Sequence, residues 1–231
     1  MSQTKLKLLA AGATEGPVSV LVPEFVRASG YEVDVEFSTV GALKDRFVGG
    51  EKADAIALST VVLEALEKEG RFVPGSRVEF GRAFCGVAIR DGFLMPNIAT
   101  PEAFKKALLN ARSVAQTDPA QGGSSGIYFA KLLERMGIAD EMKNKLIFGK
   151  AGRDVGLLVR NLRAELGVTF TSEFIPIEGL KVVGIFPKEY EFVNAYGAAI
   201  IPGPSVDAAR ALLAFLSSPA AKTRFRDFGL E

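Results

Sequence analysis

Three times within its first 66 residues the chain passes from a short apolar run to an amphipathic one. Leu6 to Ala10 reads as a buried strand. A turn through Ala11-Gly12-Ala13-Thr14-Glu15-Gly16 follows, and a helix is predicted from Pro17, a natural N1 residue, to about Ala28. Val33 to Phe37 alternates as a strand, Ser38-Thr39-Val40-Gly41 leads into a helix carrying Leu43, Phe47 and Val48, and Gly49-Gly50 ends it. Ala53 to Leu58 is a third strand, with Ser59-Thr60 before a helix of Val61, Val62, Leu63, Ala65 and Leu66. Strands alternating with helices at this spacing call for a parallel sheet, because parallel neighbours need a helical crossover. Each of these strands finishes on hydroxyl residues: Thr14, Ser38 and Thr39, Ser59 and Thr60. Open parallel sheets bind ligands outside the carboxyl ends of their strands, so the three clusters are expected on one edge. One Ser or Thr before a helix is usually an N-cap; the repetition is what points to a site.

A second hydroxyl-rich turn lies further on. Ser113 to Gln116 is a short strand and Thr117-Asp118-Pro119 a turn. Gly122-Gly123-Ser124-Ser125-Gly126 then precedes a helix running from Ile127 to Met136. Ser124 or Ser125 is expected near the helix N-cap. Such a turn points backbone N–H groups and hydroxyls at one spot, and the helix dipole favours negative charge there. The functional reading is an anion cradle; the competing readings are a capped turn or a flexible linker. Downstream, Leu146 to Gly149 is a strand, Gly152 to Leu162 a helix, and Leu166 to Phe170 a strand ending on Thr171-Ser172-Glu173. Lys181 to Phe186 is a further strand. Ser205 is expected to cap a helix through Leu216, and Ser218-Pro219 to start a last one through Phe228.

Two β-rich segments, Arg77 to Arg90 and Glu191 to Ile201, are longer than ordinary strands. They are read as the chain leaving one domain and returning to it. The expected fold is therefore α/β: two doubly wound lobes joined by a two-strand hinge, with a cleft between them. Lobe 1 is residues 1–82 and 193–231, and lobe 2 is residues 83–192. Arg82 sits at the first crossing. It is a candidate bidentate partner for a carboxylate, set against the alternative of a solvated surface arginine.

Composition removes several function classes. The chain of 231 residues carries 28 basic and 27 acidic side chains in scattered order, which argues against nucleic acid as a partner. It has no histidine and one cysteine, Cys85, so Ser-His triads, intrachain disulfides and thiolate or imidazole metal sites are out of reach. No metal and no cofactor is expected. No run of 18 or more apolar residues suggests a membrane span. Lys5, Lys7 and Leu8-Leu9-Ala10-Ala11 resemble a signal peptide, but the apolar part is too short. The chain is expected to be cytoplasmic if Met1 is the native start, or already processed.

The ordered set of motifs resembles the type 2 periplasmic binding fold, specifically the molybdate-binding-like solute receptors of ABC importers. Ala10-Ala11-Gly12-Ala13-Thr14 resembles the Ala-Ala-x-Ser after that family's first strand. Ser38-Thr39-Val40-Gly41-Ala42-Leu43 with Gly50-x-x-Ala53-Asp54 resembles its serine-rich turn and Gly-Ala-x-Ala-Asp. Asp118-Pro119 to Gly126-Ile127-Tyr128, Leu133-x-x-Met136-Gly137, and Phe215-Leu216-Ser217-Ser218-Pro219 closing on Phe228-Gly229 match later motifs in order. The resemblance spans nearly the whole chain. It implies a periplasmic receptor, with an ABC permease as partner, that holds an oxyanion by hydroxyls and backbone N–H groups. By position it implies Thr14 and Thr39 or Ser38 from lobe 1. From lobe 2 it implies Ser125, the N–H of Val155 and the position of Phe170. Val40 stands where the molybdate binders have a second hydroxyl, and Phe170 where they have a tyrosine, with Thr171 adjacent. Each lost hydroxyl around a tetrahedral dianion costs about 1–3 kcal/mol, which favours a smaller or organic anion such as a carboxylate.

The full candidate set is Thr14, Ser38, Thr39, Ser59, Arg82, Ser124, Ser125, Tyr128, Val155, Phe170 and Thr171. Tyr128 lies one turn into its helix and has packing as the alternative. A second function class is an enzyme on the same scaffold, such as an isomerase or tautomerase of a small carboxylate. Glu15, Asp118 or Glu173 would then transfer the proton, with Glu15 as the leading candidate. The competing role for all three is charge stabilisation at helix N-termini.

Overall fold

The computed structural model describes residues 5–231. They form two compact units. Unit 1 comprises the chain up to Ala83 together with Asn194–Glu231, and unit 2 is Phe84–Val193. No cis peptide occurs among the described residues.

Unit 1 begins with β1 (Lys5–Ala11), a short 3-10 turn (Gly12–Thr14) and α1 (Glu15–Ser29). β2 (Glu32–Ser38), α2 (Val40–Val48), β3 (Ala55–Ser59) and α3 (Thr60–Lys68) follow. The first part of β4 (Val78–Arg90), then β9 (Val193–Ile200), α9 (Val206–Leu216) and α10 (Pro219–Asp227) complete it. Strand order is β2-β1-β3-β9-β4. β1 runs parallel to β2 and β3, while β9 is antiparallel to β3. The predicted strands and helices are present, with two local differences. The 3-10 turn runs straight into α1, so Pro17 is the third helical residue rather than the first; its missing N–H is harmless in that opening turn. Ser205 precedes α9 but makes no side-chain capping bond, whereas Ser218 accepts from the N–H of Ala221 as expected.

Unit 2 contains the second part of β4, α4 (Pro101–Asn110), β5 (Val114–Thr117), α5 (Ser124–Arg135) and a one-turn α6 (Ala139–Met142). β6 (Leu146–Gly149), α7 (Gly152–Arg160), β7 (Leu166–Phe170), a one-turn α8 (Thr171–Phe174) and β8 (Leu180–Ile185) follow. β5 is parallel to β6 and β7, and β4 is antiparallel to β7 and β8. The sequence reading missed α6 and α8, both too short to show a helical period.

The cores follow from the patterns. β3 is buried along its whole length, Ala55 to Ser59, as a central strand must be. Leu8, Leu9, Ile56 and Leu58 are fully buried in unit 1, each worth about 1.5–3 kcal/mol of transfer free energy. In unit 2 Val155 and Val159 of α7 pack with Ala88, Ala115 and Phe174. Cys85 on β4 is buried, and burial, followed by the nearby Glu173 charge, pushes its thiol well above the usual range.

An ion-pair quartet ties β1, β2 and α2 on the surface of unit 1. Lys7 reaches Glu36 at 2.6 Å and Glu51 at 2.9 Å, and Arg46 pairs with Glu36 and Glu51. Hydrogen bonds from Arg46 and then Lys7 lower the Glu51 carboxyl from 4.5 to about 2. A depressed carboxyl contributes stability above its unfolded pKa and loses it as pH falls through the folded one. Wild type is therefore expected to lose stability between about pH 4.5 and about pH 2. An E51Q variant should show a shallower loss in acid unfolding monitored by circular dichroism, and the gap between the two proteins should close at the acid end.

Candidate functional site

In unit 1 the strand order places the ends of β2, β1 and β3 side by side, with Ser38 in register with Ala11. The chain moves outward from β1 to β2 and then back across β1 to β3. The switch point of this doubly wound sheet therefore lies between β1 and β3, where such folds bind ligands. Thr14, Thr39 and Ser59 gather there and are buried; Ser38 is half-buried. The hydroxyls are not equivalent. Thr14 donates its proton to the carbonyl of Ala11 at 2.8 Å, so it has no second proton for an anion. Thr39 accepts from the N–H of Ala42 at 3.2 Å. Ser59 makes no capping bond to α3. Glu15 is half-buried in the first turn of α1.

Ser59 is in register with Tyr196 on β9. Tyr196 lines a cavity of about 460 Å³ together with Glu79, Phe80, Arg82, Lys222 and Arg226. Arg82 is exposed, and its backbone exchanges two hydrogen bonds with Glu231, at 2.6 and 2.9 Å.

In unit 2 the switch point lies between β5 and β7. Gly123, not a serine, is the N-cap of α5, so Ser124 and Ser125 are its first two residues. Ser125 Oγ lies 3.0 Å from Thr169 Oγ1 and 3.4 Å from Thr117 Oγ1. Thr169 in turn donates to Glu173 Oε2 at 2.5 Å. All four residues are buried. Thr169 was invisible as a site residue in the sequence, because it lies inside a strand; Thr117 was read only as part of the turn that ends β5. Gly126 must be glycine for α5 to start here: a Cβ would sit 2.0 Å from the Thr117 carbonyl oxygen.

Glu173 also lies against the first residue of α7. A Cβ on Gly152 would fall 1.9–2.2 Å from the Glu173 carboxylate atoms. A carboxylate therefore occupies the helix N-terminus, where orphan N–H groups and the dipole favour negative charge. Asp154 folds back onto the N–H groups of Lys150 and Ala151 at 3.1 and 3.2 Å. The N–H of Val155 runs along the helix to the Ala151 carbonyl at 3.4 Å, and its side chain is in the core.

The remaining candidates are accounted for by packing. Tyr128 donates to the Tyr190 carbonyl at 3.0 Å, and its ring stacks on Phe192 with centroids 4.3 Å apart. Phe170 is buried with its ring 5.9 Å from Phe192. The Thr171 methyl faces Gly86 of β4. Asp118 caps its turn by accepting from the N–H of Ala120. Among the described residues no His, Cys, Asp and Glu cluster suits a metal, and no helix is long and apolar enough to cross a membrane.

Two α/β units of this topology, each with a polar switch point, define a solute-binding protein. The chain belongs to the bacterial extracellular solute-binding protein family, whose model matches residues 6–231. Within it the chain is of the molybdate-binding-like, type 2 periplasmic kind. It is 31% identical to the aconitate isomerase of a Pseudomonas species, over 99% of this chain and 88% of that one. It is 23% identical to the molybdate-binding protein ModA of Escherichia coli, over 97% and 88%. The periplasmic molybdate-binding protein of Azotobacter vinelandii superposes with a TM-score of 0.77 at 18% identity, covering 98% of each chain.

The contact between Glu173 and Gly152 gives a direct test. Gly152→Ala should destabilise the protein by about 1–3 kcal/mol in urea unfolding. In the Glu173→Ala background the same change should cost much less, because the clashing carboxylate is gone. Equal costs in both backgrounds would show that the two residues are not in contact.

Proposed function

We propose that the chain is the solute-capturing component of an importer for a small organic anion, a di- or tricarboxylate of aconitate's class, working outside the cytoplasm with an ABC permease as partner. The observation that carries this is the row of hydroxyl residues, Ser38, Thr39 and Ser59, at the unit 1 switch point, beside a cavity lined by Arg82. Hydroxyls recognise an oxyanion without a buried counter-ion, and a guanidinium nearby suits a planar carboxylate bidentately. The family supports capture as the activity.

Calorimetric titration should find aconitate bound more tightly than molybdate. Thr39→Ala and Ser59→Ala should each weaken aconitate binding by about five- to tenfold, roughly 1 kcal/mol per hydrogen bond lost. Thr14→Ala should cost less, because the hydroxyl proton already belongs to Ala11. Molybdate preferred over every carboxylate, or hydroxyl variants that bind like wild type, would overturn this ligand class.

A second reading is favoured by the relative named aconitate isomerase. Here the bound acid is isomerised by removing a proton from one allylic carbon and returning one to another, with Glu15 as the base. This needs no cofactor. Incubation of the protein with aconitate in D₂O separates the readings. Isomerisation with deuterium entering the product, lost in Glu15→Gln, means catalysis; unchanged aconitate means capture alone.

A further inference from the structure

In unit 2 the loop 91–100 joins β4 to α4, and its residues are unusual for a surface connection. Phe93, Leu94 and Met95 are consecutive, large and apolar, and they are 48%, 96% and 46% exposed. Lone exposed apolar side chains are ordinary, but three in succession add little to the core and mark a surface that something else covers. The loop is fixed at both ends. The N–H of Phe93 returns to the Arg90 carbonyl at 3.2 Å, Ile98 is buried, and Thr100 caps α4 by accepting from the N–H of Ala103.

Phe93, Leu94 and Met95 line a cavity of about 450 Å³. Ile89 of β4 and Leu166 of β7, both buried, line it as well. α4 contributes Ala103 and Ala107, followed by Ala111 at its C-cap. These three are spaced by four and so share one side of the helix, where their methyl groups leave room, while Phe104 and Leu108 fill the core. A cavity of this size with a mostly apolar lining and a few polar groups suits a small molecule.

The polar groups favour one charge. Lys106 is exposed, lines the cavity and has no ion pair among the described residues. Asn97 uses its side-chain carbonyl to accept the N–H of Ala99 at 3.0 Å, so its amide nitrogen remains a donor. Asn110 lies one turn beyond Lys106 on α4. The acid in the lining, Glu165, is already held by Arg112, through the backbone N–H at 2.9 Å and the guanidinium at 3.3 Å. An adjoining cavity of about 500 Å³ shares Phe93 and Glu165 and adds Arg90, Arg112 and the exposed Leu162. The Arg90 guanidinium stands 6.0 Å from the centre of the Phe93 ring. Asp91, next to Arg90, is turned onto the N–H of Gly92 at 3.0 Å. Lys106, Arg90 and Arg112 are thus set against one acid, and that acid is paired.

We propose that this trough is a binding site for an amphipathic anion, a single alkyl chain ending in a carboxylate. The chain lies in the apolar lining, and the carboxylate meets Lys106 and the amides of Asn97 and Asn110. A neutral apolar solute would leave Lys106 unused, and a cationic one would meet like charge. The site shares no residue with either hydroxyl cluster and does not depend on the capture proposed above.

The test is calorimetric titration with octanoate below its micelle concentration, alongside octanol and octyltrimethylammonium. Wild type should bind one octanoate, at least about threefold more tightly than either control. Lys106→Gln should weaken octanoate by about three- to fivefold and leave octanol unchanged. Ala107→Leu keeps a good helix former on α4 and fills the cavity, so it should weaken octanoate by at least about tenfold. Leu94→Ser should weaken octanoate without moving the Tm, because that side chain is 96% exposed. Melting curves check that every variant is folded. No binding of octanoate, octanoate and octanol bound alike, or a folded Ala107→Leu protein that binds like wild type overturns the proposal. So does binding to phosphatidylglycerol vesicles without binding of octanoate, which would make the loop a membrane contact instead.

Discussion

Parallel strands cannot be joined by tight turns, and that restriction arranges nearly everything else in this molecule. Each connection must leave the carboxyl end of a strand, cross a face of the sheet as a helix and re-enter at the amino end of the next. Strand ends are thereby collected on one edge of each unit, together with the amino ends of the helices that follow. Ser38, Ala11 and Ser59 share an edge because β2, β1 and β3 are parallel in that order. Ser125 meets Thr169 because β5 and β7 are parallel neighbours in unit 2. A polar cluster at such an edge needs no long-range encoding; it needs only a hydroxyl residue where a strand hands over to a helix.

That is why so much of the fold was legible in the sequence. The β1-α1-β2-α2-β3-α3 run follows directly from alternating apolar runs and amphipathic periods, and the family resemblance pointed to the same fold. What was not legible has a common cause: it depends on which side chain meets which across the structure. Thr14 looked like a donor from its place after β1, but a hydroxyl three residues beyond a carbonyl can fold back on it, and this one does. Ser205 looked like a cap, yet makes no side-chain capping bond. Thr169, mid-strand, gave no turn signal at all. Glu173 was visible as a carboxylate after a strand, but nothing local announced that Gly152, 21 residues earlier, leaves the space it fills.

The chemistry of the two clusters differs. Unit 1 presents Thr39 and Ser59 at its strand ends, with a neighbouring cavity lined by Arg82, Lys222 and Arg226 together with Glu79 and Glu231. In unit 2 Thr169 donates to the buried Glu173 and lies 3.0 Å from Ser125, which is also within reach of Thr117. The similarity to both molybdate-binding proteins and an aconitate isomerase is consistent with a scaffold on which small differences at these strand ends decide the chemistry.

Cys85 is the chain's lone sulfhydryl, walled in on β4 and held in its unreactive form by burial and a neighbouring negative charge. Alkylating reagents attack thiolates, and they cannot reach this one until the strand around it comes apart. The protein thus carries a natural clock for its own breathing: the speed at which reagent consumes the sulfur measures how often unit 2 opens, without any label being added.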